Sequence, residues 1–229
     1  MQTMTKQGKM ADLWWVVLVL GSLWGFSEVV LSAAIGAAGL PYRSAILAGV
    51  GMGLMAIAVA MVRKPLPLLG IAVVTMAVKQ LVVPILQVSL SCKANSCLAV
   101  SLEALALAGT VAVAGRRLDR SAVARVIAPA SAALLSAGAF HYLGIRFAPC
   151  NYLLSFNRPG GLLAFYAAEG VPWAVASALL FPLGYRLGEW LRENAPALRT
   201  RQPLAYYTTH AALVLGSWLA SAAVIAAGF

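Results

Sequence analysis

Four charged side chains stand inside long hydrophobic runs of this chain: Glu28, Lys79, Glu103 and Glu169. A charge in the hydrocarbon of a bilayer is costly, so such groups are kept to bind something, to pair with one another or to carry protons. Glu28 closes the run Gly21-Ser22-Leu23-Trp24-Gly25-Phe26-Ser27-Glu28. Helical rise converts position into depth: Glu28 lies ~22 Å, Lys79 ~20 Å and Glu103 ~21 Å above one common boundary of a ~30 Å core. Three charges at one level, a lysine with two glutamates, are expected to meet. One carboxylate then pairs with Lys79, and the other is left to bind a ligand or hold a proton. The competing reading is an ion pair that only fixes helix packing. Glu169, ~12 Å below the opposite boundary and just ahead of Gly170 and Pro172, extends the polar group toward that side, as does His141. Trp24, with Phe26, Phe165, Tyr166 and Trp173 close in depth, is a candidate apolar wall. The candidate substrate-binding set is Glu28, Lys79, Glu103, Glu169, Trp24 and His141.

Sulfur is the second chemistry to weigh. Cys92 and Cys97 fall in one predicted loop and Cys150 in another, both on the same side. If that side is oxidising, two of the three are expected to form a disulfide, between the loops or closing the Cys92 to Cys97 segment. Four intervening residues do not make the C-x-x-C of redox centres, and no histidine or carboxylate completes a three-thiolate metal site. No metal or cofactor is expected. HExxH, GxSxG and P-loop motifs are absent, which removes the parts for zinc hydrolysis, elbow-type serine hydrolysis and nucleotide hydrolysis. The two histidines, His141 and His210, differ in depth by ~22 Å, too far to hold one haem from both sides.

These residues need a membrane scaffold to position them, and the composition supplies one. Of 229 residues 62% are hydrophobic and 10% charged, against about 25% charged in soluble domains. Runs of bilayer length fall at 13–36, 44–62, 66–90, 97–115, 123–145, 161–185 and 206–229. The expected fold is an all-α polytopic bundle of seven helices, or six if Glu103 interrupts the fourth, forming a single membrane domain over 1–229. Pro172 and Pro182 are expected to break the sixth. The first run is too long for a secretory signal and is read as a retained helix.

The net charge of +10 follows topology rather than nucleic acid, because the basic residues flank spans and form no patch with interleaved aromatics. With the N-terminus cytoplasmic, Lys6, Lys9, Arg63, Lys64, Arg116, Arg117, Arg120, Arg125, Arg186, Arg192, Arg199 and Arg201 lie inside. Arg43, Lys93, Arg146 and Arg158 lie outside. That bias orients the chain in a cell (inner) membrane. Gly21 with Gly25, and Gly49 with Gly53, are small-residue pairs that permit close approach of helices, either within the bundle or to a partner.

The run from Gly21 to Glu28, followed by Pro41 and Ala48-Gly49-Val50-Gly51-Met52-Gly53, resembles the membrane substrate-binding (S) components of energy-coupling-factor transporters. Size and extreme hydrophobicity are similar, and the likeness covers roughly the first 110 residues. The resemblance implies a compact helical bundle that binds a small solute from outside near Glu28, Lys79 and Glu103. It also implies docking, through small-residue faces, onto a transmembrane coupling subunit driven by ATPases. The family generally has six helices, and the Met-His N-terminus of its nickel and cobalt members is absent here. The expected function is a solute-binding or transport subunit rather than an enzyme. The alternatives are a membrane thiol-redox enzyme using the three cysteines and a structural subunit of a membrane complex.

Overall fold

A computed structural model describes residues 6–228, with side chains over 13–228. The side chains of Lys6 and Lys9, and Phe229, lie outside the described residues. Seven helices among the described residues are long and apolar enough to cross a bilayer. They are α1 (Leu13–Ala37), α2 (Arg43–Val62), α3 (Leu66–Leu86), α4 (Leu90–Ala114), α5 (Ala122–Phe147), α6 (Gly161–Arg201) and α7 (Pro203–Ala226). The described residues contain no strand. The chain is an all-α, multi-pass membrane protein.

Glu103 does not interrupt α4, so the count of seven stands. Against expectation, the regular helix that begins at Val171 runs through Pro182 and Pro196 to Arg201. Proline in a membrane helix deletes one hydrogen bond and need not end the helix. In α3 a proline does leave its mark. Pro84 has no N–H to offer the Gln80 carbonyl, which accepts instead from Val83 N–H at 3.0 Å, and the regular helix stops at Lys79.

α2 is the most buried of the seven and α7 the least. The tightest seam joins α2 to α6. A Cβ on Gly184 would run into the carbonyl of Gly53, one on Gly188 into Ala60 and the Ile57 carbonyl, and one on Gly49 into Ala176. A second seam joins α1 to α3, where Gly21 and Gly25 lie against Val74 and Val78, and Thr75 Oγ1 donates to the Gly21 carbonyl at 3.1 Å. The four glycines read as permitting close approach, within the bundle or to a partner, all meet neighbouring helices of this chain. Backbones can approach this closely only where no side chain intervenes.

The connections α2–α3, α4–α5 and α6–α7 share one end of the bundle, which carries most of the arginines and is called the basic end below. Its polar groups close on one another. Asp119 accepts from Arg63 at 3.2 Å and from the Tyr185 hydroxyl at 2.7 Å. Arg125 lies 4.4 Å from the centroid of the Tyr185 ring, donates to the carbonyls of Leu118 and Asp119, and pairs with Glu189 at 3.4 Å.

Candidate functional site

The seam between α1 and α3 sets up the site. Gly21, Gly25 and Glu28 follow one another up one face of α1, opposite Val74, Val78 and Lys79 of α3. The close approach that the glycines allow brings Lys79 Nζ onto Glu28 Oε2, and both side chains are about nine-tenths buried. A buried charge pair at this depth is tolerable because each ion supplies what the other lost on leaving water.

Beside this pair, at the end opposite the basic one, lies a cavity of about 450 Å³ to which all seven spans contribute. Glu28, Lys79, Glu103 and Glu169 all line it. On α4, Ser96, Ala99, Val100 and Glu103 are spaced three and four residues apart, so one helix face forms a wall from rim to floor. Glu103 is 5% exposed, and its Oε2 has no hydrogen-bond partner. The Ser96 hydroxyl is likewise buried without a partner. Phe140, Phe165 and Trp173 form an aromatic side of the cavity, with ring centroids 6.1 to 6.4 Å apart.

Glu169 is held differently. Its Oε2 accepts from Ser44 Oγ and, at 3.0 Å, from Trp173 Nε1, while Oε1 accepts from the Tyr152 hydroxyl at 2.5 Å. Burial, and donation to Glu169, push the Tyr152 hydroxyl well above the ordinary tyrosine range, so it remains a donor. This carboxylate ties α2, α6 and the loop between α5 and α6 together at the rim.

Glu28 and Glu169 share a backbone feature that side-chain spacing does not reveal. Each sits in one wide turn of its helix, Ser27–Leu31 and Tyr166–Gly170. In both, the residue after the turn donates to a carbonyl five positions back, Ser32 to Ser27 and Val171 to Tyr166. Such π turns occur as single insertions in α-helices, often at functional sites.

No protein-family model, curated protein or solved structure matches this chain. Its own geometry therefore carries the functional argument.

Two of the six predicted binding residues stand away from the cavity. Trp24 is fully buried with its indole nitrogen unpartnered, and it packs in the space that the missing side chain of Gly51 leaves. His141 is buried with both ring nitrogens unpartnered, and it contacts Phe165 at 5.4 Å between centroids without lining the cavity. Trp24 packs against Gly51, and His141 lies behind Phe165, which lines the cavity. The predicted disulfide is not formed: Cys92, Cys97 and Cys150 are free thiols. Gln80 Nε2 lies 3.5 Å from the sulfur of Cys97, and Asn95 Nδ2 lies 3.4 Å from that of Cys150. Sequence reasoning placed Arg43 and Lys93 outside without assigning them to the site, and it did not single out Ser44, Ser96 or Tyr152. All five line the cavity.

Proposed function

We propose that this chain is the solute-binding subunit of a membrane transport system, and that its solute enters the cavity from the face opposite the basic end. The observation that carries this reading is Glu103, which lines a cavity of about 450 Å³ and whose buried Oε2 has no hydrogen-bond partner. Glu28, by contrast, is paired with Lys79. An unmet acceptor at membrane depth is expensive, and a bound solute that donates to it removes the cost.

The bias of arginine toward the basic end supports an orientation with that end cytoplasmic and the cavity outward, in the cell membrane. The likeness of residues 21–53 to energy-coupling-factor S components supports a coupling subunit with ATPases as partner. Docking would then use a surface other than the Gly21, Gly25, Gly49 and Gly53 faces, which are occupied within the bundle.

The test is mass spectrometry of small molecules retained by the chain when it is purified from membranes, with Glu103→Gln beside it. The expected result is a solute retained by the native chain and lost from a variant that still elutes as a folded species. A solute retained equally by both, or by neither, defeats the reading.

A further inference from the structure

The cavity's unsatisfied groups carry a sign and a position, and together they describe the solute. Six charged side chains line the wall: Glu28, Glu103 and Glu169, against Arg43, Lys79 and Lys93. Their formal charges cancel. Two of them, Glu28 and Lys79, cancel each other directly. Glu169 is answered by three neutral donors from Ser44, Tyr152 and Trp173. What is left is a separated pattern. Arg43 and Lys93 are exposed at the mouth and have no carboxylate partner among the described residues, while Glu103 is buried below with an oxygen unmet. Along α4 the rise from Asn95, two residues after Lys93, to Glu103 is ~12 Å.

A solute complementary to this arrangement has an acidic group held by the two cations at the rim and an amino group donating to Glu103. The segment between them lies against Phe140, Phe165 and Trp173. A plain anion would leave Glu103 unmet and bring a second negative charge toward it. A plain cation would make no use of Arg43 and Lys93 and would meet their like charge at the mouth. We infer that the cavity takes a small zwitterion of net zero charge, bound with its acid outward and its amine inward. This inference rests on the solute-binding reading and adds the class of solute and its direction.

The experiment uses the full chain in lipid nanodiscs made of phosphatidylglycerol alone, so that no zwitterionic lipid headgroup competes or mimics. Three matched series of small aliphatic and aromatic compounds are titrated and read by thermal stabilisation: amino acids, the amines that lack their carboxylate and the acids that lack their amine. Stabilisation by members of the amino-acid series, with their amine and acid counterparts on the order of 10–100-fold weaker, is the expected result. Glu103→Gln should erase the advantage of an amino acid over its deaminated acid. Arg43→Gln with Lys93→Gln should erase its advantage over the decarboxylated amine. Unliganded melting temperatures of the variants show that the fold is kept. Binding by acids alone or by amines alone overturns the zwitterion and leaves a solute site standing. No stabilisation in any series overturns the zwitterion, and if no molecule co-purifies either, the solute site falls with it.

Discussion

The two ends of the bundle treat polar side chains in opposite ways. At the basic end Asp119, Tyr185, Arg125 and Glu189 answer one another, and none of these side chains keeps a buried polar atom without a partner. At the cavity end Glu103 Oε2, Ser96 Oγ and Gln80 Oε1 are buried and unanswered. The same chain builds both, so the open valences do not reflect a general shortage of donors. A closed network ties the α2–α3 and α4–α5 connections to α5 and α6, whereas an open one leaves buried acceptors and donors unmet.

Breaking each end in turn sharpens that contrast. Lys79→Ala should have the largest effect, because it strands Glu28 in the membrane without its ion; the loss is about 3–5 kcal/mol. Combining Lys79→Ala with Glu28→Gln, whose single variant completes the cycle, should recover a substantial part of the loss. A double-mutant cycle on thermal unfolding in detergent measures both, and strictly additive losses would mean that the pair is not coupled. Gly184→Leu drives a side chain into the carbonyl of Gly53 and should cost about 3 kcal/mol through the α2–α6 seam. A melting temperature equal to that of the native chain would show that the seam is looser than described. Glu103→Leu should move the other way, stabilising the empty chain by about 1–2 kcal/mol, because it deletes an unmet buried acceptor. The same variant should lose the solute, and a less stable empty chain would count against an open valence at Glu103. Asp119→Asn, at the closed end, weakens a half-exposed ion pair and one hydrogen bond. About 1 kcal/mol is expected, with solute retention unchanged.

Depth can be counted along an apolar run. Helical rise is constant, so counting from the ends of apolar runs put Glu28, Lys79 and Glu103 at one level, and all three line the cavity. Azimuth was not readable. Trp24 packs against Gly51 and His141 behind Phe165, neither lining the cavity, because composition does not say which face of an almost uniformly apolar helix looks inward. The glycines carried a real signal of close approach, but which helix approached was a matter of tertiary packing. Ser44 and Tyr152 stayed hidden for another reason: they matter only through Glu169, which lies 125 positions after Ser44. The thiols of Cys92, Cys97 and Cys150 shared a side, and a shared side is weaker than the close Cα approach a disulfide needs.

The wide turns at Ser27–Leu31 and Tyr166–Gly170 have a genetic consequence. A π turn is what one inserted residue leaves behind in a regular helix, and each residue added or removed rotates the rest of that helix by about 100°. Losing a single codon in either stretch would leave an apolar helix still long enough to cross a bilayer, so the chain would remain a membrane protein. The segments on the two sides of the turn would no longer keep their mutual register, and a carboxylate now at the cavity would be aimed elsewhere. The helical register of two short segments is thus set separately from the length needed for membrane insertion, and one-residue deletions between 27 and 31 or between 166 and 170 are the mutations that would part the two.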